Sequence, residues 1–330
     1  MARPIRLDRG EPLFDIGSYG RAGPGRPLSR AHIEQIRLTV TRAPEVMVKV
    51  SSGRGASTSR GVIAHLDYIG RHGELEIETD DGERFIGEAY RQLIRDWNLD
   101  LEEDRQQIDL FAINRRQPPK LVHRLIFSMP AGTPPQKVLG AMRDFAREEF
   151  GDKHRYAMVL HTDEPHPHVH VVVKAVSEQG ERLNIRKETL RRWRKEFARQ
   201  LRARGVAANA TDRPARGQSR ASKSDPIFRA ARRGESSHMT ARVDDLVREL
   251  KAGSLDQSGA ARLKQTRLEV VRGWLAVRDR LAADGNHQLA DQVSRFVRQM
   301  PPPRTEKQWL AADVIERAQR TRETDKPLVR

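Results

Sequence analysis

Four of the chain's 11 histidines fall within ten residues, in the stretch HTDEPHPHVH at 161–170. An apolar run, RYAMVLH at 155–161, leads into this stretch, and a second, HVHVVVKAV at 168–176, leaves it. Both runs have the length and the apolar content of buried strands. The pattern predicts two adjacent strands joined by a short link that Pro165 and Pro167 stiffen.

The strand geometry predicts where the histidine side chains point. Residues i and i+2 of a strand face the same side, so His168 and His170 project together while Val169 and Val171 face the core. His161 ends the preceding strand. Three imidazoles from two neighbouring strands can therefore meet one ion at about 2.0–2.1 Å each.

Two carboxylates lie between these histidines. Asp163 is predicted to orient one imidazole by accepting a hydrogen bond from its second ring N–H. Glu164 can do the same or replace one histidine as a ligand. Three neutral imidazoles leave the charge of the ion uncompensated, which favours an anionic substrate such as a phosphodiester. The alternatives are a solvated histidine-rich loop, histidines satisfied in a core, and a metal bound without catalysis.

Tyr68 is the most unusual of the four tyrosines. Residues 57–72 are predicted to form a helix whose apolar face includes Leu66. At about 100° per residue, Tyr68 falls off this face, on the side that carries His65 and His72. A tyrosine hydroxyl that attacks phosphorus keeps a DNA end covalently attached and conserves the phosphodiester bond energy. The alternative is a surface tyrosine without a catalytic role.

The charge of the chain indicates a polyanionic partner. Lys and Arg number 61 against 45 for Asp and Glu, a net charge of +16, which favours nucleic acid first and an anionic membrane surface second. The absence of cysteine excludes disulfides, thiolate catalysis and Cys-ligated zinc. No run approaches the roughly 18 apolar residues that cross a bilayer. We therefore expect a soluble, cytoplasmic protein without membrane insertion.

Composition divides the chain into four predicted parts. Residues 1–44 are rich in Gly, Pro and Arg and are predicted to form a basic flexible N-terminal arm. Strand and helix signals alternate through 45–213, which is typical of an α+β domain. Residues 214–237 are predicted to be a basic linker, and 238–330 a helical C-terminal region of two to four helices.

Three blocks resemble motifs of a known family, the relaxases of conjugative and mobilisable elements within the HUH endonuclease superfamily. AHLDYIGRHGEL at 64–75 resembles the nucleophile motif, and HTDEPHPHVHVVVKA at 161–175 resembles the metal motif. RLIFSMPAGTPPQKV at 124–138 resembles the middle motif. The resemblance covers roughly 45–205 and is strongest to the branch that includes the T-DNA border endonucleases.

The resemblance implies a central antiparallel sheet flanked by helices, with both motifs on one face, and identifies 45–213 as the nuclease domain. A related branch uses a carboxylate ligand at the position of Glu164 and another nucleophile, so Glu164 and His166 stay as alternative ligands. The implied site consists of Tyr68 as nucleophile, His161, His168 and His170 as metal ligands, Asp163 as their support, and Ser128 in contact with DNA near the cut.

The resemblance also implies a reaction, namely site- and strand-specific nicking of single-stranded DNA at an origin of transfer through a 5′-phosphotyrosine, followed by rejoining. The expected ion is Mg²⁺ or Mn²⁺, and three imidazoles also suit Zn²⁺, Ni²⁺ or Co²⁺. In the basic helix predicted at 187–204, Trp193 and Phe197 are expected to be core anchors. The basic residues expected to bind phosphates beside the site are Arg54, Arg60, Arg186, Lys187, Arg191, Arg192, Arg194 and Lys195.

The expected partners are single-stranded and nicked plasmid or element DNA, accessory transfer proteins and a type IV secretion coupling protein, in the bacterial cytoplasm. One alternative, a replication-initiation or transposition HUH nuclease, shares the chemistry. A second, a basic DNA-binding accessory protein with an incidental metal site, has no activity. A third, a zinc hydrolase, acts on another substrate. Residues 214–330 carry no catalytic motif.

Overall fold

Two compact units make up the part of the chain that the computed structural model describes. One unit spans 41–210, and the other combines the helix α1 (Arg30–Val40) with residues from 211 onward. Within the described ranges, no helix has both the length and the apolar character that a bilayer crossing requires. The described residues are 16, 19, 27–51, 56–113, 118–219, 236–253 and 258–324.

A six-stranded antiparallel sheet with the order β1-β4-β6-β5-β2-β3 forms the centre of the first unit. The innermost strand, β6, is buried on both faces, which explains its nearly continuous valine run. The strands are β1 (Met47–Val50), β2 (Ile77–Thr79), β3 (Arg84–Phe85), β4 (Val122–Ser128), β5 (Tyr156–His161) and β6 (His168–Lys174).

One face of the sheet, which we call the histidine face, carries His161, His168 and His170 together with Val159 and Val172. The helix α2 (Ser59–Ile69) packs on it, with α3 (Leu93–Asp96) and α4 (Leu99–Ile113) following in the chain. Three apolar residues of α2 recur at helical spacing and are completely buried, and each such side chain contributes about 1.5–3 kcal/mol. These residues are Val62, Leu66 and Ile69.

The opposite face of the sheet is covered by α5 (Pro135–Glu149) and α6 (Lys187–Ala203). Phe145 contacts both Trp193 and Phe197 at ring-centroid distances of 6.3 and 6.4 Å. Trp193 and Phe197 are completely buried, so the prediction that they anchor the basic helix is confirmed.

The ends of the first unit lie beside each other. Glu45 and Asn209 form a parallel bridge, and the amide of Val46 donates to the carbonyl of Asn209 at 2.9 Å. The amide of Asn209 in turn donates to the carbonyl of Pro44 at 2.8 Å. The chain therefore enters and leaves this unit at one place.

The second unit is helical. In its core, Ile36 of α1 packs with Trp274, Val277, Val293 and Phe296. The indole N–H of Trp274 donates to the carbonyl of Ala215 at 2.8 Å. Besides α1, its helices are α7 (Ser237–Lys251), α8 (Ala260–Ala283), α9 (His287–Arg298) and α10 (Glu306–Thr324).

The α+β fold class predicted from the sequence, with a central antiparallel sheet, flanking helices and a helical C-terminal region, is confirmed. The structure differs from the prediction of a flexible arm over 1–44, because α1 lies within these residues and buries Ile36 in the second unit. A 3-10 helix, Arg213–Arg216, occupies the start of the predicted linker. Within these two segments, residues 1–15, 17, 18, 20–26 and 220–235 lie outside the described residues.

A tight turn follows α2 and ends the helix earlier than predicted. Arg71 and His72 adopt left-handed backbone angles, with φ of 51° and 55°. That conformation costs a non-glycine residue about 1–2 kcal/mol. Gly73, with φ of 90°, closes the turn so tightly that a Cβ on it would lie 2.5 Å from the Cα of Gly87.

We expect Gly73→Ala to lower the free energy of unfolding by more than about 2 kcal/mol, because it adds a backbone clash to left-handed strain. Gly82 is the matched control, since its φ is 86° and no atom lies within 4 Å of an added Cβ. Gly82→Ala should cost only the strain of about 1–2 kcal/mol. Urea unfolding measures both, and equal losses would contradict the close approach of the two glycines.

Candidate active site

Three histidines converge on the histidine face, where β5 ends and β6 begins. His161 and His168 are direct cross-strand partners, and His170 lies two residues farther along β6. One ring nitrogen from each lies within 4.8 Å of the other two. The ring centroids are 4.5 Å apart for His161 and His170 and 5.1 Å apart for His168 and His170. The donor set therefore fits a divalent ion that accepts imidazole nitrogen.

Backbone carbonyls orient two of these rings. Nε2–H of His161 donates to the carbonyl of Ile69 at 2.7 Å, which leaves the lone pair on Nδ1. Nδ1–H of His168 donates to the carbonyl of His166 at 3.0 Å, which leaves the lone pair on Nε2. Such outer hydrogen bonds fix the tautomer and aim the free nitrogen at an ion.

Burial keeps two of the histidines neutral. It lowers the pKa of His170 to about 3, with His161 and His168 as further causes. It also lowers the pKa of His161. Both rings are therefore unprotonated at neutral pH, which is the form that coordinates a metal.

Asp163 occupies a different place from the predicted one. Its Oδ1 lies 3.8 Å from Nδ1 of His161, which is too far for a hydrogen bond. The Ile69 carbonyl already accepts the N–H of His161, and the Asp163 carboxylate instead pairs with the guanidinium of Arg71. Asp163 is thus connected to the histidine cluster through Arg71.

The two alternative ligands, Glu164 and His166, are exposed. Neither belongs to the group of ligand atoms found among the described residues. Nδ1 of His166 accepts a hydrogen bond from the amide of Ala131 at 3.0 Å, so this ring is engaged with the backbone. The structure does not bring either side chain into the cluster.

Tyr68 lies on the last turn of α2, on the same face of the sheet as the cluster, and is 57% exposed. Its ring stacks on His65 with the centroids 6.4 Å apart and the planes 20° apart. His65 meets His170 edge-on, also at 6.4 Å. One imidazole therefore separates the tyrosine from the histidine cluster, and the two sequence motifs meet as the family resemblance implies.

Arg71 and His65 belong to the site, although sequence reasoning did not select them. Nη2 of Arg71 lies 3.3 Å from Nδ1 of His161, and its Cζ lies 5.5 Å from the centroid of the Tyr68 ring. Burial, with a smaller contribution from Arg124, lowers the pKa of His65 to about 4. The signal for Arg71 was its position in a glycine-flanked turn three residues after the tyrosine.

Ser128 is the cross-strand partner of His168 on β4 and is half-buried on the same face. This position agrees with the predicted contact near the cut, which stays a prediction. Arg60 is exposed on the first turn of α2. Arg54 lies outside the described residues.

The basic residues of α6 and its N-cap are not beside the histidines, contrary to the prediction. The apolar side of α6 packs on the opposite face of the sheet. Nη1 of Arg192 donates to Oε2 of Glu149 at 2.5 Å, so this residue forms an ion pair with α5. The basic residues that the prediction placed beside the histidines are Arg186, Lys187, Arg191, Arg192, Arg194 and Lys195.

Residues 86–206 match the family model described as Relaxase: MobA/VirD2-like, nuclease domain. The matched segment contains the three histidines and Ser128 and begins after Tyr68. The T-DNA border endonuclease VirD2 of Rhizobium radiobacter is 30% identical over 139 residues, which cover 39% of this chain and 31% of that protein. The VirD2 protein of Agrobacterium fabrum (strain C58) is 29% identical over 145 residues, covering 39% and 30%.

The chain thus spans less than a third of the length of these relatives, at 31% and 30%. A solved structure titled "Molecular Basis of Vancomycin Resistance Transfer in Staphylococcus aureus" is 14% identical, with a TM-score of 0.31. The match covers 52% of this chain and 99% of that one. At this TM-score, the likeness supports no conclusion about function.

We expect His168→Ala to weaken Mn²⁺ binding more than about tenfold, because one of three ligands is lost. Titration calorimetry on the full chain measures the affinity. His238→Ala is the control, since His238 is exposed on α7 in the second unit. Equal affinities for the two variants would show that the ion binds elsewhere.

Proposed function

We propose that this chain, whose residues 86–206 match the model of the MobA/VirD2-like relaxase nuclease domain, nicks and rejoins single-stranded DNA with Tyr68 as nucleophile. One observation carries the proposal: Tyr68 stacks on His65, and His65 contacts His170 of the histidine cluster. A phosphate held at the cluster would therefore lie within reach of an exposed phenol.

His161, His168 and His170 are the residues that would hold a divalent ion, which supplies charge neutralisation at the scissile phosphate. We propose Mg²⁺ or Mn²⁺ as the working ion, and the three nitrogen donors also accept Zn²⁺, Ni²⁺ or Co²⁺. The carbonyls of Ile69 and His166 keep two of the rings turned toward it. The protein thereby fixes the ligands before the substrate arrives.

In the proposed reaction, the Tyr68 oxygen forms a bond to phosphorus while the bond between phosphorus and the 3′-oxygen breaks. The 3′-oxygen gains a proton in place of the phenol, so the products are a 3′-hydroxyl and a 5′-phosphotyrosine. The number of phosphoester bonds is unchanged, so the reaction runs backwards with little cost and rejoins the strand. The exposure of Tyr68 leaves room for a strand to approach and to depart.

The net charge of the chain and the residues on the histidine face support single-stranded DNA as the substrate class. A net charge of +16 attracts the DNA backbone, and such binding weakens steeply as salt rises. Ser128, the cross-strand partner of His168 on the histidine face, is the residue that we propose to touch the strand near the cut. Arg60, exposed on α2, and Arg54, which lies outside the described residues, are the further phosphate contacts that we propose.

We place the reaction at an origin of transfer of a plasmid or integrative element in the bacterial cytoplasm. The similarity to T-DNA border endonucleases supports this event. Accessory transfer proteins and a type IV secretion coupling protein are the partners that such a transfer needs. The helical second unit, which carries no catalytic motif, is the proposed surface for them.

Tyr68→Phe is expected to abolish the covalent protein–DNA adduct while leaving DNA affinity within about twofold, because only the attacking oxygen is removed. The assay incubates the full chain and Mn²⁺ with a pool of random-sequence single-stranded oligonucleotides, then separates adducts on a denaturing gel. Mass spectrometry of the adduct peptide identifies the attached residue.

Tyr156→Phe is the matched control for this loss of a hydroxyl. Tyr156 is buried in the core of the opposite face, next to Phe150 at a ring-centroid distance of 6.0 Å. Its variant should still form the adduct. Adduct formation by Tyr68→Phe would refute Tyr68 as the nucleophile, and the absence of any adduct with the unmodified chain would refute the nuclease assignment.

A further inference from the structure

Arg71 is held in an unfavourable backbone conformation beside the Tyr68 ring, the histidine cluster and Asp163. Its φ of 51° is left-handed, as is the φ of 55° at His72. Such a conformation persists in a non-glycine residue only where the surroundings enforce it, and it concentrates at functional sites. Here it directs the guanidinium back over the ring of Tyr68 and toward the histidine cluster.

The group that Arg71 contacts in the cluster is the nitrogen that a metal would use. Nε2–H of His161 is donated to the Ile69 carbonyl, so the only lone pair of this ring is on Nδ1. Nη2 of Arg71 lies 3.3 Å from that nitrogen. A guanidinium has donors and no acceptor, so Arg71 and a metal ion compete for one lone pair.

Asp163 fixes the guanidinium in this position. The carboxylate pairs with Nη2 of Arg71 and does not hydrogen-bond His161 itself. The pair is partly exposed, with 32% of the Arg71 side chain and 51% of the Asp163 side chain accessible. A strand that reaches Tyr68 would therefore meet an accessible cation beside the histidines.

We infer that Arg71 is a positioning residue that couples metal binding to DNA binding. Its charge opposes a divalent ion on His161, and two cations about 5 Å apart repel enough, even in water, to weaken binding roughly tenfold. A phosphate placed between the ion and the guanidinium converts this repulsion into attraction to a shared anion. This inference extends the proposed function. Its statement about DNA binding rests on that function.

Linkage then requires that DNA tighten the binding of the ion by the same factor by which the ion tightens the binding of DNA. The experiment measures Mn²⁺ affinity by titration calorimetry on the full chain, with and without a short oligothymidylate. It compares the unmodified chain with Arg71→Asn, Arg71→Lys and Arg147→Ala.

Each variant isolates one property of Arg71. Asparagine tolerates a left-handed backbone, so Arg71→Asn removes the charge without adding strain there. Lysine keeps the charge and loses the fork of donors. Arg147 lies on α5, across the sheet from the cluster, with 76% of its side chain exposed, so Arg147→Ala removes one charge at a distance. Urea unfolding midpoints verify that all variants are folded.

Without DNA, Arg71→Asn should bind Mn²⁺ about tenfold more tightly than the unmodified chain, because the competing cation is gone. Arg71→Lys and Arg147→Ala should stay within about threefold of it. With oligothymidylate, the unmodified chain should gain Mn²⁺ affinity several-fold, and Arg71→Asn should lose most of that gain. A structural role for Arg71 would instead weaken Mn²⁺ binding in every Arg71 variant.

The results separate this inference from the proposed function. Unchanged or weaker Mn²⁺ binding by Arg71→Asn, in a protein that still nicks DNA, overturns the inference and leaves the nuclease assignment intact. Tighter Mn²⁺ binding by Arg71→Asn, in a protein that never forms an adduct, supports the repulsion between Arg71 and the ion and refutes the nuclease assignment.

Discussion

The antiparallel pairing of β5 with β6 is the interaction on which the rest of the site depends. It sets His161 opposite His168 and Val159 opposite His170. A slip of one residue would turn every side chain of a strand to the other face. Burial on both faces prevents such a slip, because Met158 packs in one core and Val159 in the other. The convergence of the three histidines and the hydrophobic core therefore depend on the same strand register.

A hydrogen bond connects the histidine cluster to the helix that carries Tyr68, the proposed nucleophile. Ile69, whose carbonyl accepts the N–H of His161, immediately follows Tyr68 in α2. The same residue buries its side chain completely against the sheet. Any motion of the last turn of α2 would thus move Tyr68 and turn the ring of His161 together. The position of the phenol and the orientation of the His161 ring therefore depend on the same peptide group.

The sequence predicted the parts of the site that rest on local periodicity. The spacing of His161, His168 and His170 on alternating strands indicated the cluster, and the position of Tyr68 off the apolar stripe of its helix indicated an accessible phenol. The orienting role of the Ile69 carbonyl was not predictable, because a backbone group leaves no pattern in the sequence. Asp163 was assigned that role because of its proximity in the chain and because of the family resemblance.

Long-range packing accounts for the other differences. The basic residues of α6 suggested a DNA-binding surface, but Trp193 and Phe197 decide which face of the sheet this helix covers. Arg192 finds its partner in Glu149, which lies 43 positions earlier in the chain. The helix Arg30–Val40 was not predicted, because the sequence around it is rich in Gly and Pro. The residues that bury it belong to helices more than 200 residues later in the chain.

The bridge between Glu45 and Asn209 has a consequence for the architecture as a whole. Because α1 belongs with the helices that follow residue 210, the sheet-containing unit is an insertion within the helical one. An inserted segment whose two ends touch is topologically self-contained, as in proteins that accept a guest domain in a surface loop. The sheet-containing unit could thus be exchanged between helical hosts without cutting any strand of its sheet.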